Sequence, residues 1–336
     1  MQERNDMTMQ TKLLAWYEAN ARKLAFRQNR NPYFIWISEI MAQQTRIEAM
    51  LPYFENFIRL YPDLPSLAQA DDESLHKAWE GLGYYSRCRN LKKCAIECVE
   101  RFDGRLPSTK AELKTLPGIG DYTAGAIASI AFGEKVSAID GNVVRVFSRL
   151  YDVRADVTKA ATKKQIARLV DDSLCEPIEA YNQALMELGA MVCTPKNPKC
   201  DQCPVAAWCQ TDEPETLPVK PEKKARRVER KHVYVWTDGK GFHMNRRPKT
   251  GLLANLYEFD ETMPDEVVRT EPLAPYTHIF SHVEWQMDAT LVFVKEDAGF
   301  YSVDQIENEL ALPSAFAPFF EEAREKIDED VENEKE

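Results

Sequence analysis

The apolar residues of this chain repeat with two different periods. Up to residue 191 they recur every three or four positions, as in Leu13, Leu14, Trp16 and Tyr17, which predicts amphipathic α-helices. From residue 231 onward apolar and polar residues alternate, most regularly over 283–293, which predicts a long half-buried β-strand. A mostly α region is therefore expected to precede an α+β region.

Breaks in these patterns give the approximate limits of the elements. Helices are predicted at 11–30, 32–45, 53–61, 75–79, 142–150, 160–173 and 181–191. A further helix, with a thin face that can pack closely on a neighbour, is predicted by the small residues Gly125, Ala126, Ala128 and Ala131. Asp238 and Gly239 lie between two short alternating segments, which predicts a β-hairpin. A last helix is expected to begin near Pro313.

The length of 336 residues allows two domains, each with its own core. We expect a helical domain at 1–212, a linker at 213–229, an α+β domain at 230–325 and an acidic tail at 326–336. The linker is indicated by an abrupt change from the acidic TDEPET to a basic run spaced by prolines. Disorder is expected in the acidic residues after Glu321.

The charge of the chain is unevenly distributed. Its net charge of −11 opposes nucleic-acid binding at first sight. Residues 218–231, however, hold seven basic and two acidic side chains, a net +5, whereas residues 321–336 hold three basic and nine acidic ones, a net −6. Because a phosphate backbone is bound by a local basic face, the total charge does not exclude DNA as a partner.

No feature of the sequence indicates a membrane or secreted protein. No apolar run reaches the ~18 residues that a membrane span needs, and the N-terminus lacks the apolar core of a signal peptide. A cytoplasmic location is therefore expected, associated with the nucleoid in a bacterium. In a reducing compartment the eight cysteines favour a metal or cluster site over disulfides.

Four of the cysteines have ligand spacing. Cys193, Cys200, Cys203 and Cys209 follow the pattern C-x6-C-x2-C-x5-C. Four thiolates within so short a segment can hold either zinc or an iron–sulfur cluster.

Two carboxylates stand in unusual surroundings. Glu39 lies among apolar residues of a predicted helix, where burial would raise its pKa and suit it to general acid chemistry, unless it reaches out to solvent. Asp140 follows the glycine-containing turn Leu116–Gly120 by about twenty residues, just before another helix. That turn presents backbone N–H groups that could bind a phosphate, and Asp140 could equally be a simple helix cap.

Two glycine- or serine-containing turns could contact a ligand. In Gly81-Leu82-Gly83-Tyr84 apolar side chains occupy a tight loop, as in wedges that enter a base stack, or in a loop that anchors two helices. Phe280-Ser281-His282 precedes the long strand and could be an ordinary polar turn.

The motifs together resemble one enzyme family. LPGIGDYTA followed by IDGNVVRV resembles the helix–hairpin–helix DNA glycosylase superfamily. SEIMAQQT, GLGYYSR, the cysteine spacing and the FSH turn are similar to those of the MutY-type adenine DNA glycosylases. The resemblance covers residues 11–325 and implies a six-helix barrel with a helix–hairpin–helix and an iron–sulfur cluster module, followed by a Nudix-like α+β domain.

The resemblance implies a role for each matching residue. Glu39 would be the general acid and base, Asp140 would stabilise the oxocarbenium ion, and Tyr122 and Asn142 would orient the sugar and Asp140. The four cysteines would hold a [4Fe–4S] cluster. Expected contacts with DNA or its bases come from Gln44, Leu82, Tyr84, Gly118, Gly120, Phe280, Ser281 and His282. The implied partner is double-stranded DNA containing an adenine:8-oxoguanine pair, bound by a monomer.

Several departures and alternatives bear on this interpretation. Ala42 stands where the family usually has Leu, and Leu24-Ala25-Phe26-Arg27 replaces Leu-Pro-Trp-Arg. Endonuclease III-like glycosylases with lyase activity carry a lysine at the position of Tyr122, so a monofunctional enzyme is favoured. A Nudix hydrolase needs a metal-binding helix with the motif R-E-x-x-E-E, and the C-terminal domain has no match to it. This domain is therefore expected to be a binding domain without hydrolase activity. A non-enzymatic iron–sulfur DNA-binding regulator is the alternative from another class.

Overall fold

The computed structural model describes residues 8–27, 29–222, 225–295 and 299–333. These residues fold into two compact units. The first contains the residues up to Met50, Tyr61–Ala68 and those from Asn90 to 222; the second contains Leu51–Leu60, Gln69–Arg89 and those from 225 onward. Two lysines of the expected linker, at 223 and 224, and the last three residues of the expected tail lie outside the described residues. The domain limits expected from the sequence stay a prediction.

Eleven α-helices precede the sheet in the described part of the chain. They are α1 Met9–Asn20, α2 Pro32–Met41, α3 Ile47–Leu60, α4 Leu64–Ala68, α5 Asp72–Ala78, α6 Ser86–Arg101, α7 Lys110–Leu113, α8 Asp121–Phe132, α9 Gly141–Leu150, α10 Ala160–Ser173 and α11 Ile178–Met191. The predicted helices overlap with these, but three differ markedly at an end: α2 ends at Met41 instead of residue 45, α3 begins at Ile47 instead of residue 53, and the helix expected at 11–30 ends at Asn20. A 3₁₀ turn follows at Ala25–Arg27, and it brings Leu24 and Phe26 into the core.

Helix α8 lies at the centre of the first unit, where it packs against both α2 and α11. Its residues Thr123–Ile130 are all buried, and most of them are small. Gly125 has no room for a side chain, because a Cβ atom there would lie 2.2 Å from the carbonyl oxygen of Ser137. The thin helix expected from the run of glycine and alanine is confirmed, and it allows the close packing that brings α2, α8 and α9 around one cavity.

The second unit contains a five-stranded sheet of order β5-β6-β1-β2-β7. Its strands, with a separate β3–β4 pair and two helices, are β1 Arg227–Thr237, β2 Gly241–Phe242, β3 Asn245–Arg246, β4 Tyr257–Glu258, β5 Arg269–Ile279, β6 Val283–Phe293, β7 Tyr301–Ser302, α12 Val303–Asn308 and α13 Ala317–Asn333. The predicted hairpin is confirmed by the antiparallel pairing of Thr237 with Phe242. The predicted long strand is β6, which pairs in parallel with β1 and in antiparallel with β5. The expected order of an α region and then an α+β region is therefore confirmed.

The disorder expected after Glu321 is wrong as far as Asn333, because α13 continues to that residue. Phe319, Phe320 and Ala323 on this helix are buried in the core of the second unit. Ion pairs from Arg269 to Asp330 and from Arg324 to Glu307 reduce the repulsion among the acidic side chains. An apolar face thus stabilises a segment whose composition alone indicated disorder.

Among the described residues, no helix is long and apolar enough to cross a membrane.

The packing of α11 against the start of α9 gives a prediction about stability. A Cβ atom on Gly189 would lie 2.6 Å from the Cβ atom of Asn142, so Gly189→Ala forces the two helices apart. We expect the free energy of unfolding to fall by about 1–3 kcal/mol, measured by urea denaturation. Gly141→Ala is the matched control, since nothing lies within 4 Å of the added atom. Equal stability of the two variants would contradict this account of the packing.

Candidate functional site

A cavity of about 690 Å³ in the first unit, called here the carboxylate cavity, brings together the predicted catalytic residues. Among the residues that line it are Glu39, Gln44, Tyr122, Asp140, Asn142 and Glu187. Gln44 is exposed and has a left-handed backbone with φ of 64°, a conformation that is uncommon for a residue other than glycine. Ala42 also lines this cavity, where the smaller side chain leaves more room than leucine would.

Glu39 is held in the wall of the carboxylate cavity by α2. Only 9% of the residue is exposed, and the Tyr122 hydroxyl donates a hydrogen bond to its Oε2 atom. Burial is the main cause that raises the pKa of Glu39, while the hydrogen bond from Tyr122 lowers it. The expected buried carboxyl with a raised pKa is therefore present, and the alternative of a solvent-facing side chain is wrong.

Asp140 is the N-cap of α9, so the helix-cap interpretation is correct for its position in the chain. Its Oδ1 accepts from the backbone N–H of Val143 at 2.7 Å, and its Oδ2 accepts from the side-chain amide of Asn142 at 2.7 Å. Burial raises the pKa of Asp140, and these two donors oppose the rise by favouring the ionised form. The cap thus fixes a carboxylate in the wall of the cavity.

Asn142 is held in turn by Arg145, which sequence reasoning missed. The Arg145 guanidinium donates to Asn142 Oδ1 at 2.7 Å, to the carbonyl oxygen of Gly189 at 2.7 Å and to that of Cys193 at 2.8 Å. One arginine therefore joins the start of α9 to the end of α11 and to the cysteine segment. Its place just over one turn after Asp140 on the same helix is the signal that the sequence offered.

Glu187 is a second residue that sequence reasoning missed. Its side chain is fully buried and accepts from Arg22 at 2.8 Å and from Arg27 at 2.6 Å. Burial opposes its ionisation, but the two guanidinium groups prevail and lower its pKa. Arg27 also lowers the pKa of Glu39. Like Glu39, Glu187 is a lone carboxylate in an apolar helical run, so the same pattern could have indicated it.

The four spaced cysteines surround a separate cavity of about 320 Å³ in the first unit. Among the described residues no group of His, Cys, Asp or Glu is gathered closely enough for a single metal ion. Four thiols around one cavity fit the cysteine ligand set of an iron–sulfur cluster. Arg149, which is 2% exposed, donates to Cys193 Sγ at 3.3 Å and would offset the negative charge of bound thiolates.

A cavity of about 320 Å³ in the second unit, called here the loop cavity, is lined by three loops together with Ser86, Arg89 and the segment Pro313–Ala315. The three loops are Gly81–Tyr85, Gly251–Ala254 and His278–His282. Tyr84 is 45% exposed with φ of 49°, as expected for a side chain at the tip of its loop. Leu82 is not at the tip, because its side chain turns into the cavity wall and is only 6% exposed.

The Phe280–His282 turn joins β5 to β6, as its position before the long strand predicted. Phe280 packs on Trp285 with ring centroids 4.9 Å apart. Ser281 and His282 are exposed, and Ser281 Oγ lies 3.3 Å from His282 Nδ1. The turn thus has one anchored ring and two exposed polar side chains. Its expected contact with a base stays a prediction.

The glycine-containing turn before α8 has the form that the sequence predicted. Gly118 has φ of 74°, and Gly120 is the N-cap of α8. Lys114 and Lys110 both pair with Asp121 in the first turn of that helix. A helix–hairpin–helix is therefore formed by α7, the turn and α8, and the N-terminus of α8 is suited to a phosphate.

Two family models match parts of the chain. Residues 37–172 match the HhH-GPD superfamily of base excision DNA repair proteins. Residues 193–209 match the iron–sulfur binding domain of endonuclease III, so the four cysteines form an iron–sulfur site. The first match includes Glu39, Tyr122 and Asp140, and the second begins and ends at cysteines.

Comparison with single proteins agrees with these matches. The chain is 42% identical over 209 residues to the adenine DNA glycosylase of Homo sapiens, covering 59% of this chain and 38% of that protein. It is 32% identical over 350 residues to the adenine DNA glycosylase of Mus musculus, covering 81% of this chain and 68% of that protein. The chain thus spans less than two fifths of the human relative's length. A thermostable thymine-DNA glycosylase of known structure superposes with a TM-score of 0.55 at 25% identity, covering 60% of this chain and 93% of that chain.

The contact between Tyr122 and Glu39 gives a prediction about ionisation. Tyr122→Phe removes the donor that favours the carboxylate, so the pKa of Glu39 should rise and its protonated form should persist to higher pH. Carbon-13 carboxyl NMR would measure this, with the signal assigned by its loss in Glu39→Gln. Tyr181→Phe, which removes a buried hydroxyl bonded to Ser173, is the control. An unchanged or lowered pKa in Tyr122→Phe would contradict the assignment.

Proposed function

This chain belongs to the adenine DNA glycosylase family, within the HhH-GPD superfamily of base excision DNA repair proteins, and from that premise we propose that it hydrolyses the N-glycosidic bond of adenine mispaired with 8-oxoguanine or guanine in duplex DNA. The observation that carries the proposal is the carboxylate cavity. There a buried carboxyl with a raised pKa and a capped carboxylate line the same space. Two carboxylates with different environments suit the separate acid and stabilising roles of glycoside hydrolysis.

Glu39 is proposed to be the general acid. The enzyme must extrude the adenine from the duplex, at a cost of a few kcal/mol that a mispair reduces. In the cavity, protonated Glu39 would give its proton to a purine nitrogen, so that the base leaves as a neutral molecule. The resulting Glu39 carboxylate would then accept a proton from the attacking water. Tyr122 would hold Glu39 through both stages, since its hydroxyl can remain bonded to Oε2.

Asp140 is proposed to stabilise the positive charge that develops on the sugar. The hydrogen bonds from Val143 and Asn142 favour its ionised form and fix its orientation before the reaction. Arg145 keeps Asn142 in place, and its positive charge also favours the ionised form of Asp140. A fixed negative charge close to C1′ lowers the barrier without any movement of the protein at the moment of bond cleavage.

Strand cleavage by a lyase is not expected. That reaction needs an amine that attacks the sugar and forms a Schiff base. Tyr122 occupies the position of the lysine in the motif, and no lysine is among the described residues that line the carboxylate cavity. Its cations come from arginines, which do not act as nucleophiles.

The loop cavity is proposed to receive the base opposite the adenine. Tyr84 would enter the base stack, while Phe280, Ser281 and His282 would contact 8-oxoguanine, with Ser281 as a hydrogen-bonding partner. The α8 N-terminus with Gly118 and Gly120 would bind a phosphate of the backbone. We further propose that the protein acts as a cytoplasmic monomer.

The [4Fe–4S] cluster would be held by Cys193, Cys200, Cys203 and Cys209. When bound it would join four thiolates and order the segment between them, supplying no step of the hydrolysis. Lys196 and Lys199 in the same segment could contact DNA phosphates.

The experiment that tests the function is a single-turnover assay on a labelled duplex with one adenine:8-oxoguanine pair. A break in the adenine strand that appears only after alkali is the expected result, because a monofunctional glycosylase leaves an abasic site. A break without alkali would mean lyase chemistry. Tight binding without any base release would favour the non-enzymatic regulator.

Asp140→Asn tests the role of the charge separately from the fold. Asparagine is as good an N-cap as aspartate, so α9 should keep its start while the negative charge is lost. We expect base release to slow about a hundredfold or more. Binding to the mispaired duplex, measured by fluorescence anisotropy, should stay nearly unchanged. Release at the wild-type rate would show that Asp140 is wrongly assigned.

A further inference from the structure

The middle loop of the loop cavity, Gly251–Ala254, has an unusual backbone together with the residue that follows it, Asn255. Gly251, Leu253 and Asn255 have φ angles of 94°, 56° and 64°. Leucine rarely adopts the left-handed region, because its Cβ atom then approaches the following carbonyl oxygen. Such a loop keeps its shape only where neighbouring groups hold it. The contacts that hold it therefore decide the shape of the cavity wall.

One contact comes from Arg247, which follows β3. Its Nε atom donates to the carbonyl oxygen of Leu252 at 3.1 Å, and its guanidinium also pairs with Glu258. Its backbone N–H donates to the carbonyl oxygen of Leu256 at 2.8 Å. The side chain of Arg247 is 16% exposed and that of Glu258 19%, so solvent screens this pair only partly. Arg247 thus spans the loop from one end to the other.

A second contact comes from Arg89 in the first turn of α6. Its guanidinium donates to the carbonyl oxygen of Ala254 at 3.2 Å. The carbonyls that Arg247 and Arg89 contact lie on either side of Leu253, the residue with the strained backbone. Arg89 follows the Gly81–Tyr85 loop closely in the chain, so this contact ties two walls of the loop cavity together.

Arg247 also reaches the third wall. Its guanidinium lies 5.7 Å from the ring centroid of Trp285, which is 2% exposed on β6. The other ring contacts of Trp285 include Phe280, the anchored residue of the Phe280–His282 turn. Trp285 Nε1 donates to Glu229 at 2.8 Å, which fixes the orientation of the indole. The middle loop and the turn therefore share one support.

We propose that Arg247 and Arg89 are positioning residues that hold the three loops in the one arrangement that distinguishes 8-oxoguanine from guanine. This inference rests on the proposed function. The two bases differ only by one oxygen atom and one N–H group, so discrimination requires walls that do not adjust to either base. Neither arginine is needed for the chemistry, because both contact loops of the second unit rather than the carboxylate cavity.

The test is the substitution Arg247→Lys. Lysine keeps the positive charge beside Glu258 but lacks the planar guanidinium group that also donates a hydrogen bond to the carbonyl oxygen of Leu252. Wild type and variant are compared for binding to duplexes in which a non-cleavable adenosine analogue faces either 8-oxoguanine or guanine. The preference for 8-oxoguanine is the Kd of the guanine duplex divided by the Kd of the 8-oxoguanine duplex. We expect this ratio to fall about fivefold in the variant, the effect of one hydrogen bond. The single-turnover rate on adenine:guanine should stay at the wild-type value. Arg324→Lys, at the exposed pair with Glu307, is the matched control.

The possible outcomes separate positioning from general stability. A parallel loss on both duplexes, or an unchanged Kd ratio, would overturn the proposal. Arg89→Lys weakens the same loop from its other side and should lower the ratio in the same way, which keeps the test decisive if Arg247→Lys unfolds. If the wild type itself binds both duplexes equally, the proposed reading of 8-oxoguanine fails, and this inference fails with it.

Discussion

The structure of the site depends on the cost of burying carboxylates. Three buried ones line the carboxylate cavity, and a carboxylate removed from water must gain either a proton, hydrogen-bond donors or a cation. Glu39 has a raised pKa and one tyrosine hydroxyl, Asp140 has the start of a helix, and Glu187 has two arginines. Burial raises the pKa of both Glu39 and Asp140, but the two donors to Asp140 favour its ionised form, and the two arginines lower the pKa of Glu187.

Helix α9 connects the carboxylate cavity to the cysteine segment of the first unit. Its N-cap is Asp140, and Arg145 and Arg149 follow at successive turns. Arg145 reaches the carbonyl oxygen of Cys193, and Arg149 reaches the sulfur of the same residue. The position of Asp140 at one end of the helix is therefore linked to the segment that contains the cluster cysteines.

The sequence predicted the residues whose surroundings are local in the chain. Glu39 stood in an apolar helical run and Asp140 before a helix, and both environments can be deduced from neighbours in the sequence. Glu187 stood in a similar run, but the arginines that lower its pKa lie about 160 positions away in the chain. The periodicity of apolar residues does not predict contacts between residues so far apart. The exposure of Leu82 could not be predicted for a similar reason, because the side chain of an apolar loop residue is buried or exposed according to its tertiary contacts. The extension of α13 to Asn333 depended on an apolar face that the acidic composition concealed.

The central claim is the proposal that Glu39 is the general acid, in a buried position that raises its pKa. Glu39→Gln tests it most directly, since glutamine has the same shape and can still accept from Tyr122, yet has no acidic proton to give. The measurement is the single-turnover rate of adenine release from an adenine:8-oxoguanine duplex, with the Kd of the same duplex measured alongside. The account predicts a rate lower by about a hundredfold or more with little change in Kd. A rate close to that of the wild type would contradict it.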